Sequence, residues 1–544
     1  VPENSGPPNR AGLEMRPRKA APVRVSAIAE FLQAFGAGSA ANQGPHPADA
    51  GVSVSGVSID SRDVQPGDLY IGLPGSRSHG AAFAGRAVEA GAAAVLTDPD
   101  GVGQLGECPV PVLVGTDLRS VVGPLSRLIF QSQPAGVQRP TLFGVTGTNG
   151  KTTTTYLLNS LLRALDHTTG LIGTIEILAG EEAIPSQLTT PESPQVHGLL
   201  ALMRERGLTA AAMEVSSHAI AYRRVDGVKF DIAGFTNLTQ DHLDLHGDME
   251  DYYRTKAGLF TPERARHGVV VVDDEWGERL VRDATVPVTT VASAENADAD
   301  WTVTARESAG LGHRFVLRHR SGDVLNCHTG LPGDFNVINA ALAAVMVLES
   351  GASPARIQEV LHAADPFTIQ VPGRMELIGT EPAAIVDFAH NADALERALQ
   401  SVRTPDSEGR VIIVFGATGQ RDQGKRSIMG AVAARNADVV IVTDDDPHDE
   451  DPAVIRTAVY DGAARTKDDE SLGCELHNIA PRAEAIAAAV EIATVHDVIL
   501  VAGRGHEIWQ EINGVNHSLD DRVELRTSLS RRGFIPVPGI TVES

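Results

Sequence analysis

Apolar positions in this chain follow two periods. Residues 141–145 form a short apolar run that reads as a strand, followed by a Gly-rich turn holding Gly147 and Gly150. Beyond it, Leu157, Leu158, Leu161, Leu162 and Leu165 recur on one helical face. Upstream, residues 52–59 alternate as a strand does and 64–71 read as a turn into another strand. Residues 81–91 are Ala-rich and helical, and 92–97 read as a strand. Residues 211–218 read as a buried strand ending in polar groups. Farther on, three apolar runs at 410–415, 438–442 and 497–501 each lead into polar residues, with helical segments between them. That is the spacing of parallel strands in a doubly wound sheet, where ligands sit beyond the strand carboxyl ends.

The pattern predicts an α/β chain. Its 544 residues suggest about three domains at ~150 residues each. The boundaries expected are a disordered tail over 1–22, a mixed α/β domain over 23–138, a central parallel-sheet domain over 139–371 and a Rossmann-like domain over 372–544. Lys and Arg number 46 against 70 Asp and Glu, a net charge of −24. Such a surface argues against nucleic acid or an anionic membrane as partner, and any anionic substrate must be held by local positive sites. Cys108, Cys327 and Cys474 are far apart, which fits a reduced, cytoplasmic setting and argues against a disulfide framework or structural zinc. No run of 18 apolar residues suggests a membrane span, and the first twenty residues lack a signal peptide's apolar core.

The turn after residue 145 carries the clearest chemistry. Strand, glycine loop, Lys151, Thr152 and helix are the parts of a phosphate cradle. Glycines let backbone N–H groups approach phosphates, and the helix N-terminus favours their charge. Lys151 reaches the β- and γ-phosphates, and the Thr152 hydroxyl ligates Mg²⁺. One departure is Val145, where the strict pattern wants Gly. Glu214, at the end of a buried strand, is either a second Mg²⁺ ligand or a buried carboxylate paired with a cation. His242 and His246 lie four apart, but Leu243 follows His242, so the zinc-protease pattern is absent. His242 is the active-site candidate and His246 reads as structural.

Met249, Tyr252, Tyr253, Leu259 and Phe260 mark one helical face, and Lys256 falls on it. A lysine on a buried stripe must be paired, lose its proton, be modified, or snorkel outward. The chemically sharper outcome is a neutral amine carrying CO₂ as a carbamate. Asn336 and Asn339 open an Ala-rich helix as caps or as nucleobase ligands, with capping preferred from the local pattern alone. Arg421, Asp445, Asp446, His448 and Glu507 follow the three C-terminal apolar runs and are expected to converge.

Together these stretches resemble the Mur ligases and their folylpolyglutamate synthetase relatives, most closely the UDP-N-acetylmuramoyl-tripeptide synthetase branch. The resemblance rests on residues 146–153, 189–193, 213–218, 236–244, the Lys256 helix, 386–390, 424–426 and 503–507. It implies a UDP-binding domain, a central P-loop ATPase and an amino-acid-binding Rossmann-like domain, acting as a monomer. It implies that Gly147, Thr148, Asn149, Gly150, Lys151, Thr152, Thr153, Asn336, Arg374 and Asp387 meet ATP. Thr152, Glu214, His242 and carbamylated Lys256 would organise Mg²⁺. Ile59, Ser61, Ser76, Arg77 and Ser78 would meet the UDP part of UDP-MurNAc-L-Ala-D-Glu. Thr189, Thr190, Ser216 and Arg224 would hold its muramoyl-dipeptide part, with Tyr222 where some relatives have Gln. Arg421, Asp445, Asp446, His448, Gly503 and Glu507 would bind the incoming amino acid.

Enzymes of this branch that add meso-diaminopimelate typically carry Asp-Asn-Pro-Arg where this chain has Asp445, Asp446, Pro447 and His448. An acidic pocket repels a distal carboxylate and suits a distal ammonium. The expected amino acid is therefore L-lysine, with L-ornithine or meso-diaminopimelate as alternatives to it. A folylpolyglutamate synthetase-like ligase and a non-catalytic nucleotide switch are the more distant readings.

Overall fold

The computed structural model describes residues 15–37, 51–75, 78–184, 188–295, 297–403, 409–420 and 422–538. Ser76, Arg77 and Arg421 lie outside the described residues.

Near the N-terminus, four parallel strands run in the order Gly56–Ser58, Asp68–Gly72, Ala94–Thr97 and Val112–Val114. The single strand expected over 52–59 is broken at Ser55. Ser53–Val54 pairs antiparallel with Val23–Arg24, while Gly56–Ser58 joins the larger sheet. Gly56 fits there because a Cβ would stand 2.2 Å from Asp68 Oδ1. That carboxylate also accepts two bonds from Arg16 Nη1, at 2.7 and 2.8 Å. Met15 is buried, and the Arg18 and Lys19 backbone N–H groups donate to Glu205. Within the tail expected over 1–22, Met15 is buried and Arg16 ion-paired to Asp68, while Arg18 and Lys19 stay exposed although their N–H groups bond Glu205.

The central sheet has eleven strands. Thr141–Thr146 lies between Ala210–Glu214 and Phe230–Phe235, parallel to both. Its two sheet neighbours thus both come later in the chain, one on each side, which opens a crevice at its carboxyl end. The helix Lys151–Ala164 packs back on this sheet through Leu157, Leu158, Leu161 and Leu162. Replacing one such fully buried Leu by Ala costs about 2–5 kcal/mol. The helix Met249–Ala257 buries Tyr252, Tyr253 and Lys256. Leu259 and Phe260, expected on the same helix, are buried just beyond its end.

The three C-terminal apolar runs are Val411–Phe415, Val439–Val442 and Val498–Ala502, neighbours in a six-stranded sheet. Alternate residues feed opposite faces. Val411, Ile413 and Phe415 enter one apolar cluster, and Ile412 and Val414 enter another. Both faces are covered, which explains uninterrupted apolar runs instead of alternation. Among the described residues, no helix is long and apolar enough to cross a membrane.

Candidate active site

The glycine loop takes its shape from two backbone conformations. Gly147 has φ +148°, and a Cβ there would lie 1.9 Å from Thr236 Oγ1. Gly150 has φ +89° and begins the helix Lys151–Ala164, where a Cβ would meet Asn339 Oδ1 at 2.5 Å. Lys151 folds back over the loop, its Nζ donating to the carbonyls of Gly147 (3.0 Å) and Thr148 (2.8 Å). Burial pushes its ammonium pKa down, while Glu214 pulls it back up.

Glu214 sits fully buried where its strand ends. Its carboxylate accepts from the Thr152 hydroxyl (2.9 Å), the Thr174 hydroxyl (3.1 Å) and the Thr174 N–H (2.7 Å). These are hard oxygen groups beside a phosphate loop, a set that suits Mg²⁺ bound mainly by phosphate and water. No group of three His, Cys, Asp or Glu side chains able to hold a metal is present among the described residues.

Lys256 is 1% exposed. Its Nζ donates to the Gly147 carbonyl at 2.7 Å, the same carbonyl that Lys151 uses, and lies 4.6 Å from the Tyr252 ring centre. It does not snorkel. Burial, with the Lys151 charge adding to it, drives its pKa well below the usual lysine range. A neutral amine at this depth is nucleophilic toward CO₂. His242 has φ +54° and packs edge-on against His218, ring centres 4.8 Å apart. Burial lowers its pKa to about 3 despite Asp241 beside it. His246 is buried against the Tyr252 ring, centres 4.9 Å apart.

The C-terminal sheet closes this site from the other side. Arg374 donates to Thr152 Oγ1 at 3.2 Å and stacks over Phe388, and its Nε is buried without a described hydrogen-bond partner. Asp387 accepts from the backbone N–H groups of Met375 (2.7 Å) and Ala389 (2.9 Å). Burial raises its carboxyl pKa, and Arg374 opposes this. Sequence reasoning missed four further residues at this junction. Asn149 Nδ2 donates to Asp393 (3.0 Å) and Asn391 Nδ2 to Asp241 (3.1 Å), while His390 Nε2 lies 3.6 Å from Asp241. Burial raises the Asp241 carboxyl, but its contacts with His390, His242 and Lys425 together outweigh that and the net pKa falls. Asp241 and His390 fall within the stretches 236–244 and 386–390 that carry the resemblance, whereas nothing local marked Asn391 or Asp393 as reaching across to them.

Between the two sheets lies a cavity of about 490 Å³. Thr148 to Thr153, Glu214, His242, Asn336, Arg374 and Asp387 line it, together with Thr189, Ser216 and Arg224. Asn336 is not a cap, because Gly333 occupies that position and Asn336 donates to Pro332 O instead. Asn339 is likewise no cap, since it donates to Asn336 within its own helix and accepts from the Thr154 hydroxyl of the helix Lys151–Ala164. Thr190 sits behind the lining, donating to the Glu214 carbonyl at 2.8 Å. Arg224 holds Glu192 at 2.8 Å and lies over the half-exposed Tyr222. Ile59 and Ser61 follow the strand Gly56–Ser58, and Ser78 follows Asp68–Gly72. All three are outside this cavity.

A second cluster stands at the carboxyl ends of the C-terminal strands. Asp445, Asp446 and Glu507 converge as expected, but around an unexpected cation, the fully buried Arg504. Gly503, at φ +114°, lets Asp445 come close, since a Cβ would stand 2.7 Å from its Oδ2. His448 turns to Glu511, Nδ1 to Oε2 3.1 Å. Burial, reinforced by Asp445, raises the Glu507 pKa to about 8. Arg504 was legible only as a charge inside a glycine loop after an apolar run.

Comparison with known proteins agrees with this architecture. Residues 53–125 match the Mur ligase family catalytic domain, 145–347 the Mur ligase middle domain and 373–505 the Mur ligase glutamate ligase domain. A UDP-N-acetylmuramyl-tripeptide synthetase of Leifsonia xyli is 44% identical, covering 89% of this chain and 93% of its own. A UDP-N-acetylmuramoyl-L-alanyl-D-glutamate–2,6-diaminopimelate ligase of Streptomyces coelicolor is 43% identical, covering 94% and 98%. A solved structure of a ligase of that same name superposes with a TM-score of 0.60 at 31% identity, covering 88% and 96%. With a phosphate loop on the central sheet, a second site on the C-terminal sheet and these relatives, the chain belongs to the Mur ligase family.

Proposed function

We propose that the protein joins a diamino acid to the D-glutamyl γ-carboxylate of UDP-MurNAc-L-Ala-D-Glu, using ATP. The observation that carries this reading is the pairing of a cation-rich phosphate cradle with an acid-rich pocket at facing strand ends. The central cradle takes ATP through the loop 147–153, with Asn336, Arg374 and Asp387 on the nucleotide. Ile59, Ser61, Ser76, Arg77 and Ser78 take the uridine diphosphate end. Thr189, Thr190, Ser216, Tyr222 and Arg224 take the muramoyl dipeptide, which brings its γ-carboxylate to the γ-phosphate. The three domains assigned are 23–138, 139–371 and 372–544.

The γ-carboxylate oxygen attacks the γ-phosphorus and ADP leaves. Lys151 and Arg374 stabilise the charge spread over the transferring group. Thr152 and Glu214 would hold Mg²⁺, which would supply further neutralisation of phosphate charge. Lys256 as a carbamate supplies a further carboxylate, and His242 faces the same space. The amine of the incoming amino acid, held by Arg421, Asp445, Asp446, His448, Gly503 and Glu507, then attacks the acyl carbon. A C–N bond forms, phosphate leaves and the amine releases a proton.

The amino acid is L-lysine, with L-ornithine next, because Asp445, Asp446 and Glu507 gather at this cluster, with Asp446 and His448 where meso-diaminopimelate enzymes typically carry Asn and Arg. A second reading, meso-diaminopimelate, is favoured by the names of several relatives and by Arg504 as a cation for its distal carboxylate. Phosphate release with UDP-MurNAc-L-Ala-D-Glu and ATP should depend on added amino acid. The kcat/KM for lysine should exceed that for meso-diaminopimelate at least tenfold, and the reverse order would sink the lysine reading.

A further inference from the structure

A further cavity opens at the end of the central sheet opposite the phosphate cradle. Its volume is about 450 Å³, inside the span of roughly 300–1,000 Å³ that small-molecule sites occupy. Thr141, Lys229 and Arg266 place it at the amino ends of three neighbouring parallel strands, Thr141–Thr146, Phe230–Phe235 and Ala265–Val271. Arg127 enters from the helix Leu118–Phe130, and residues 133–139, which join that helix to the sheet, form the remaining wall. Four cations line the cavity, Arg127, Arg139, Lys229 and Arg266, against one carboxylate, Asp231. That carboxylate is already engaged. It accepts from Arg139 Nη1 (2.6 Å) and Nη2 (2.8 Å) and from the Leu142 N–H (2.9 Å), and Arg266 Nε lies 3.3 Å from it. The bonds described for Arg127 go to the carbonyls of Gly227 (3.2 Å) and Gln133 (3.3 Å). The Lys229 ammonium has no described partner, yet its backbone is fixed. The buried Gln133 side chain accepts from the Lys229 N–H at 2.9 Å and donates to its carbonyl at 2.8 Å. Four positive charges around one negative repel each other, and they are gathered here in a chain whose net charge is −24.

We propose that this cavity binds a small phosphorylated molecule, at a site separate from the nucleotide and amino-acid sites. Arg127, Lys229 and Arg266 hold the phosphate, the guanidiniums as planar forks and the ammonium as a point charge. Arg139 stays on Asp231, so the one carboxylate is neutralised and does not repel the anion. Pro134, Ala135 and the exposed Val137 offer apolar contact to the rest of the molecule. The ligand is small because of the charge around the site. A nucleic acid or an anionic membrane spreads over the strongly acidic surface and is repelled by it. A small anion inside the cavity meets chiefly the lining, since salt screens charges more than about 8 Å away.

The test titrates the full chain with phenyl phosphate in a calorimeter, with ADP and Mg²⁺ present at saturation to keep the probe out of the cradle. One molecule should bind per chain with a Kd of about 1 mM or tighter, and phenol, which lacks the phosphate, should not bind. Lys229→Gln and Arg266→Gln should each weaken binding about tenfold, the scale of one charge-assisted hydrogen bond, and the double variant should abolish it. Arg266 is 63% exposed in its side chain and Asp231 keeps Arg139 as its partner, so the fold survives these changes. Lys151→Ala, at the opposite end of the sheet, should leave the affinity unchanged. Absence of binding to wild type, or binding that survives in the double variant, overturns the proposal. So does binding that ADP displaces or that Lys151→Ala removes, because the probe then sits in the cradle. Vesicles of equal parts phosphatidylglycerol and phosphatidylcholine should leave the protein in the supernatant. Co-sedimentation that the double variant loses would make the cavity a membrane contact and overturn the small-molecule site. None of these measurements reads ligation, so their failure leaves the ligase reading where it stands.

Discussion

The nucleotide cradle and the amino-acid pocket occupy equivalent places, at the carboxyl ends of parallel strands, yet their charges are arranged oppositely. In the cradle, Lys151, Lys256 and Arg374 are buried against carbonyls, a hydroxyl and aromatic rings, not in close ion pairs with carboxylates. In the pocket, the arginine is enclosed and Asp445, Asp446 and Glu507 surround it. Buried charge is costly unless matched. Lys151 and Arg374, cations without a close carboxylate partner, suit the phosphates proposed for the cradle, and the acids of the pocket suit the cationic group proposed there.

The comparison breaks most visibly at Lys256. Replacing it by Ala should lower kcat by about a hundredfold or more, the scale of losing one preorganised electrostatic group. Wild type should also lose activity in CO₂-depleted buffer and regain it with bicarbonate, while the variant ignores bicarbonate. Full ligation by the variant would show that the unmatched amine is only packing. The junction between the two regions sharpens the contrast next. Asp241→Ala removes the acceptor of Asn391 and should reduce kcat/KM for ATP about tenfold, the scale of a charge-assisted bond. The KM for the amino acid should hold.

The smallest effect is a pH dependence confined to the pocket. The Glu507 pKa rises from 4.5 to about 8 on folding. Between those values the folded chain keeps a proton that the unfolded chain has released. The resulting stabilisation is full below pH 4.5 and is lost as pH rises through about 8. Glu507→Gln should therefore flatten the fall of Tm across that window by no more than a few degrees. A Tm difference that stays constant with pH would assign the effect to packing.

Much of this was legible in the chain. The leucine stripe 157–162, the glycine loop and three apolar runs each mark local periodicity, and local periodicity survives folding unchanged. Lys256 was legible too, since a charge on an apolar stripe is a visible conflict. What escaped were pairings between distant residues. Nothing near Asp446 announces that Arg504 lies behind it, because the two meet only when the strands Val439–Val442 and Val498–Ala502 are placed in one sheet. Asn149 with Asp393 and Asn391 with Asp241 bridge separate sheets and are invisible to any window. Asn336 misled in the opposite way. Its place at a helix start favoured a cap, but Gly333 begins the helix and leaves the amide free to turn inward.

Gly373 sits one residue before Arg374, and a Cβ there would stand 2.1 Å from the His506 backbone nitrogen. The backbone that carries the guanidinium onto Thr152 thus rests directly on the loop that carries Glu507. With no side chain between them, any residue larger than glycine at 373 would force the backbone carrying Arg374 away from the loop carrying Glu507.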